Sequence, residues 1–330
     1  MVAFQGGQDG IHPAKARLVG KGLKTTNSFG FDFTDSTSNG TKAWKRAINA
    51  LSNADEFDIN LLTMPGIIHD NASSTINHAI AKVEDRGDCF LIFDVAKYND
   101  SVSQTVSTII SDAVNDASGY DSSYAATYFP WLMYNNSVNN VIQPVPPSAM
   151  MPSVFSGNDT TAEPWFAPAG LTRGLLTQIT EATTRLTHAE RDDLYEGKVN
   201  PIATFPNQGV CVWGQKTLQT KRSALDRINV RRLLIALKKF IASTSRFLVF
   251  EQNTAATRNR FLGIVNPYLE SVQQRSGLHA FKVVMDTSNN TPDVIDRNRL
   301  VGNIMLQPTR TAEFIVLDFT VLPTGATFPE

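Results

Sequence analysis

A chain of 330 residues, 42% hydrophobic and 18% charged, is long enough for about two domains and apolar enough to bury a sizeable core. Its formal net charge of -1 excludes a general nucleic-acid or polybasic membrane binder. No apolar run approaches the roughly 20 residues of a membrane span, and MVAFQGGQDG carries neither the charged nor the long apolar region of a signal peptide.

The opening VAF reads as the end of a strand running straight into the glycine turn GGQDG, an abrupt start expected of a fragment of a longer chain. TKAWKRAINALS places Trp44, Ala47, Ile48 and Leu51 on one helical face. DINLLTMPG follows as a buried strand ending at a Pro-Gly turn. Ser73 and Ser74 are placed to cap a helix that runs to about Asp85 and carries Ile76, Ala79, Ile80 and Val83. CFLIFDV predicts a second strand, SVSQTVSTIISDAV a third helix and YAATYFPWLMY a third strand. Continuous apolar strands separated by helices imply a parallel sheet covered on both faces. Cys89 and Cys211 stand singly inside apolar runs, which predicts buried thiols in a reducing compartment.

Residues 143–170 are rich in Pro, Ser and Gly and read as a long irregular excursion with a short helix after Pro147. Thr187 and Glu190 have the spacing of a capping box opening the helix THAERDDLYEG. NPIATFPNQG reads as a loop, and the domain boundary is expected beside it. SALDRINVRRLLIALKKFIAS predicts a helix with Ile228, Leu233, Leu234, Leu237 and Ile241 inward. RFLVFEQN predicts a strand, and residues 254–277 a helix containing Pro267. AFKVVMD and LVGNIMLQP predict two further strands. In the terminal strand, FIVLDFTVL, Ile315, Leu317, Phe319 and Val321 form one wholly apolar face; a hairpin with LVGNIMLQP is expected. The fold class expected is α/β: a helix-covered, mainly parallel sheet in residues 1–195, then a smaller α+β unit in residues 196–330 with a terminal hairpin.

The nearest approach to a catalytic motif is GVCVWGQKT, residues 209–217. A P-loop needs GxxxxGK[ST] so that amides and lysine converge on phosphate. Here Gln215 displaces Lys216 by one residue, and VCVW reads as a strand. A nucleotide-binding α/β enzyme using this segment is the alternative function, and ATP affinity is what would distinguish it. His12, His69, His78, His188 and His279 show no metal-ligand spacing, and no GxSxG elbow is present. Neither a catalytic residue nor a metal or cofactor is therefore expected. The densest charge feature is Arg227, Arg231 and Arg232 followed by Lys238 and Lys239. These residues read either as the wet face of an amphipathic helix, pairing with Asp226 or Asp296, or as a docking face for an acidic partner.

Three segments of the C-terminal third, DRINVRRL (226–233), VVMDTSNNTPDVIDRN (283–298) and LQPTRTAEFIVLDFTVLPTGATF (306–328), resemble the contractile tail sheath protein of large-tailed bacteriophages in motif, order and spacing. WFAPAGLTRG, RDDLYEGKVNPI, VWGQKT and the FQGGQDG turn are similar to sheath sequences upstream, so the resemblance covers essentially the whole chain. It implies a structural protein of the virion tail, not an enzyme, assembled in the host bacterial cytoplasm. Sheath subunits of this kind stack as hexameric rings around a tail tube and meet baseplate and tail terminator proteins. Contraction drives the tube through the host envelope for genome ejection, without nucleic acid, membrane or cofactor as a partner of the sheath. The resemblance further implies that terminal arms add strands to neighbouring subunits. That makes Phe314, Ile315, Val316, Leu317, Phe319 and Val321 the strand-donating residues. Arg227, Arg231, Arg232, Lys238 and Lys239 become candidates for tube or neighbour contacts. Because the family's usual upstream parts have no match here, the chain alone is expected to be a monomer or small oligomer.

Overall fold

The computed structural model describes residues 33, 35–98, 105–137 and 140–314. The first strands are the continuous apolar runs: β1 (Leu61–Met64), β2 (Phe90–Phe93) and β3 (Ala125–Phe129) pair in parallel. Helices α1 (Asn39–Ala50), α2 (His69–Arg86) and α3 (Val106–Ser118) alternate with them. Thr105 caps α3 by accepting from Thr108 N at 3.3 Å. The second helix begins at His69, ahead of the expected serines. Ala72 leaves helical geometry (φ -135°, ψ 24°), so a first turn is joined through a kink to the run that Ser73 and Ser74 begin.

YAATYFPWLMY is two strands, not one. Pro130 separates β3 from β4 (Leu132–Asn136), which turns away to a second sheet with β5 (Val141–Val145) and β6 (Ile179–Ala182), ordered β5-β4-β6 and antiparallel. The Pro-rich excursion is likewise more regular than its composition predicts. It holds α4 (Pro147–Thr161), where proline at the first helical position needs no N–H partner, and the short α5 (Gly170–Arg173). The loop expected at 200–209 is strand β7 (Asn200–Phe205). It pairs in parallel with β3 and in antiparallel with β8 (Gly209–Val212), completing a five-stranded sheet of order β1-β2-β3-β7-β8. Pro201 fits because it lies at the start of the strand, where a missing N–H costs little. The sheet therefore runs past residue 195.

Period-two alternation divides the core between the two faces of this sheet. Leu91, Phe93, Ala125 and Phe129 face α1, α2 and α3 through Ile48, Ile76, Val83 and Ile110. Phe90, Ile92, Ala126 and Tyr128 face the other way, onto Met151, Val154 and Phe155 of α4. After α6 (His188–Glu196) and β8 comes α7 (Ile228–Arg246), which joins this body to the C-terminal unit. Its Ile228 and Ile235 belong to the second cluster. Leu233 and Leu237 belong to a third, with Phe261, Val265 and Leu269 of α8 (Ala255–Gln274) and with Leu278 at the start of β9 (Leu278–Val284).

In the C-terminal unit β9 pairs antiparallel with β10 (Asn303–Pro308), and α9 (Pro292–Asp296) lies between them in sequence. The strand expected at RFLVFEQN is absent: α7 runs to Arg246 and a turn follows, leaving Phe247, Val249 and Phe250 exposed. No helix among the described residues is long and apolar enough to cross a membrane. The result is a mixed α/β fold with a mainly parallel principal sheet and smaller antiparallel ones.

Candidate assembly site at the root of the C-terminal segment

The capping box forms as its spacing predicts: Thr187 Oγ1 accepts from Glu190 N at 3.4 Å, and Glu190 Oε2 accepts from Thr187 N at 2.7 Å. The helix it starts, α6, carries Tyr195 in its last turn. The Tyr195 hydroxyl donates to Glu313 Oε2 at 2.9 Å. The other carboxylate oxygen of Glu313 accepts from Arg227 Nε at 2.6 Å and from Gln215 Nε2 at 3.1 Å. Gln215 Nε2 also donates to Thr311 Oγ1. Three separate elements of the body therefore grip residues 311–313, which follow β10.

Electrostatics fits this arrangement. Burial, with the Glu313 carboxylate adding to it, pushes the Tyr195 phenol well above the ordinary tyrosine range, so it remains a proton donor. Burial works against the charge on Arg227, but the hydrogen bond to Glu313 and its neighbouring acids hold the guanidinium pKa above its ordinary value. Lys216 sits 4.3 Å above the Tyr195 ring and donates to Tyr195 O at 2.6 Å; burial, then Arg227, lowers its pKa. A cleft of about 250 Å³ lies beside the clamp, lined in part by Arg173, Arg191, Tyr195, Trp213 and Glu313.

The segment at 209–217 is spent on structure. Val212 N donates to Gly174 O and Trp213 N to Pro201 O, both at 2.8 Å, and Lys216 N donates to Asn200 Oδ1 at 2.6 Å. These amides and the Lys216 ammonium are those a phosphate would need, so the geometry is that of a strand and a turn. Gly214 is required by close approach: a Cβ there would lie 2.9 Å from both Asn200 Oδ1 and Pro201 Cδ. The nucleotide-binding alternative has no support.

The basic residues of α7 are not a uniformly wet face. Arg231 and Arg232 are only 5% and 6% exposed. Arg232 makes a two-pronged pair with Asp159 of α4, Nη1 to Oδ1 at 2.7 Å and Nη2 to Oδ2 at 2.5 Å, with its guanidinium over the Phe155 ring. Arg231 lies 4.0 Å from the Tyr124 ring centre and bonds Ser123; burial lowers its pKa. Arg227 pairs with Asp226 at 3.2 Å as well as with Glu313. Lys239 donates to Asp58, Ile59 O and Asn60. Lys238 is exposed and donates to Tyr124 Oη at 2.9 Å. The structure thus brings Arg227 to the clamp and scatters the other four. Among the expected strand-donating residues, Phe314 is exposed, whereas Ile315, Val316, Leu317, Phe319 and Val321 lie outside the described residues. Tyr195, Gln215 and Glu313 were not foreseen as site residues. The only sequence signal was the position of Glu313, immediately before the apolar run.

The polar groups of this site bond one another and hold a chain segment in place. Comparison with known proteins gives the family. Residues 40–218 match the phage tail sheath protein central domain and residues 220–321 the phage tail sheath C-terminal domain. The chain belongs to the phage tail sheath family. It is 38% identical over 186 residues to the tail sheath protein of Vibrio phage KVP40, and 37% identical over 192 residues to that of Enterobacteria phage T4. These alignments take in 56% and 58% of this chain but only 28% and 29% of those relatives. The fold is similar to the sheath complex of an extracellular contractile injection system, PVC, in its contracted state. That match has a TM-score of 0.67 and 26% identity, covering 83% of this chain and 74% of the other.

Proposed function

We propose that the chain is part of a contractile sheath subunit that stacks with copies of itself as hexameric rings around a tail tube. The sheath meets the baseplate and tail terminator, and shortens to drive the tube through the host envelope for genome ejection. Assembly takes place in the host bacterial cytoplasm. The observation that carries this reading is the match of both sheath domains, in order and almost without a gap, across residues 40–321.

Connection between subunits is assigned to the apolar run from Phe314 to Leu322, added as a strand to a neighbour. Strand addition supplies backbone hydrogen bonds of roughly 0.5–1.5 kcal/mol net each together with apolar burial. Such a joint survives rigid-body motion of the bodies it links, and head-to-tail contacts that do not close build a helical assembly. The two-stranded sheet β9–β10 suits a receiving role, since its outer edges have no strand partner among the described residues. Deleting residues 314–330 from the full-length protein is expected to abolish sheath-like polymers in electron micrographs while the thermal unfolding transition is retained. Normal polymers would dismiss strand donation.

Of Arg227, Arg231, Arg232, Lys238 and Lys239, Lys238 alone is exposed and so has the position from which to meet a tube or a neighbour. Lys238→Glu is expected to weaken tube-dependent assembly in a salt-dependent manner, because an exposed charge is screened over about 10 Å at 0.1 M salt. Co-sedimentation with the tube across a salt series measures this. Unchanged co-sedimentation at low salt would remove Lys238 from the contact.

A further inference from the structure

The last backbone hydrogen bond of the described chain joins Thr309 N to Gly277 O at 3.2 Å. Beyond it, the body holds the segment by side chains. Thr311 and Glu313 are half-buried and turned inward, whereas Ala312 and Phe314 are exposed, the alternation of an extended chain. Glu313 is the deeper peg, its side chain 17% exposed and bonded to Arg227, Gln215 and Tyr195. None of these three partners comes from β9 or β10. After leaving the C-terminal sheet, the chain returns to the body and is pinned there. The pin stands at the point where polar residues give way to the apolar face of Ile315, Leu317, Phe319 and Val321.

We propose that Glu313, seated among Arg227, Tyr195 and Gln215, is the anchor through which the segment after it passes load from a neighbouring subunit to the body. The proposal rests on the strand-donation reading above and adds the residues that make the donated strand bear force. Without the peg, a pull on the segment would fall on β10, an outer strand of a two-stranded sheet that can be peeled from β9 one pair at a time. With it, the pull enters Arg227, the N-cap residue immediately before α7. That helix is packed into both the second and the third core clusters, so it cannot move without both. A carboxylate is suited to the task because charge-assisted hydrogen bonds are short, directional and about twice as strong as neutral ones.

The test compares Glu313→Ala, Arg227→Met and the charge exchange Glu313→Arg with Arg227→Glu against the deletion of 314–330, all in the full-length protein. Three quantities are read: thermal unfolding, hydrogen exchange of the Thr309 amide, which is bonded to Gly277 O, and polymer formation by sedimentation. Loss of the clamp is expected to speed exchange of the Thr309 amide by about tenfold or more, the scale of one charge-assisted hydrogen bond. The main unfolding transition should hold its place, and the protein concentration needed for polymers should rise by a similar factor. Partial recovery in the charge exchange supports the pairing. If the deletion abolishes polymers while Glu313→Ala exchanges and polymerises as the parent does, the anchor is overturned. If the deletion itself polymerises normally, strand donation falls, and the anchor falls with it.

Discussion

Asp159→Asn is expected to destabilise the folded chain by about 3 kcal/mol, the lower end of the cost of stripping one partner from a buried ion pair. The reason lies in where the pair sits. Arg232 emerges from α7 over the Phe155 ring with a side-chain exposure of 6%, and both prongs of its guanidinium are satisfied by Asp159 alone. Removing the carboxylate charge leaves a desolvated cation facing an amide that can accept on one side only. Asp159 itself is 32% exposed, so water can reach the edge of the pair, and this sets the lower figure. Urea unfolding of the variant measures the loss. A change under about 1 kcal/mol, the range of exposed pairs, would mean that water replaces the carboxylate almost fully. The double variant Asp159→Leu with Arg232→Met should recover much of the stability, because two apolar side chains in the same volume leave no charge stranded.

The same pair illustrates what sequence could convey. Arg232 was legible as part of a basic helix, but the choice between a wet face and a docking face missed burial against α4, since residue spacing carries no information about a helix 73 positions upstream. Arg227 and Glu313 are 86 residues apart, and Tyr195 and Glu313 118 apart. Such a clamp exists only once the chain has closed on itself. Local signals did better: the capping box at Thr187, the apolar strands β1 and β2, and the helices α1 and α3 all formed from chemistry within a few residues. Failures had local causes too. NPIATFPNQG looked like a loop because of its prolines, yet the sheet needs no N–H from Pro201. RFLVFEQN has the composition of a strand, but that composition records a preference for a pleated neighbour, and none among the described residues lies alongside it.

Asp94 gives the second large expectation, a pH dependence. It is 1% exposed, immediately after β2, and its carboxylate accepts from Gly66 N at 3.1 Å and from Ser148 N and Oγ at 3.0 and 2.6 Å. One side chain thus ties the turn after β1 to β2 and to the start of α4. Burial pushes its pKa up to about 6 from an ordinary 3.8, with the three donors pulling the other way. A folded-state pKa above the unfolded one means that the native state takes up the proton more readily. The carboxyl's contribution to stability is then greatest below about pH 4 and falls as pH rises through about 6. A shift of about two units is worth about 3 kcal/mol in total. Asp94→Asn carries no titrating group there. Its amide also turns a donor toward groups that donate, so it should be less stable than the parent by about 1–3 kcal/mol at low pH. The expected signature is a stability gap between parent and variant that narrows, and can reverse, between pH 4 and 7 in urea unfolding curves. A gap of constant size across that range would show that the donors from Gly66 and Ser148 outweigh burial and keep the carboxylate charged throughout.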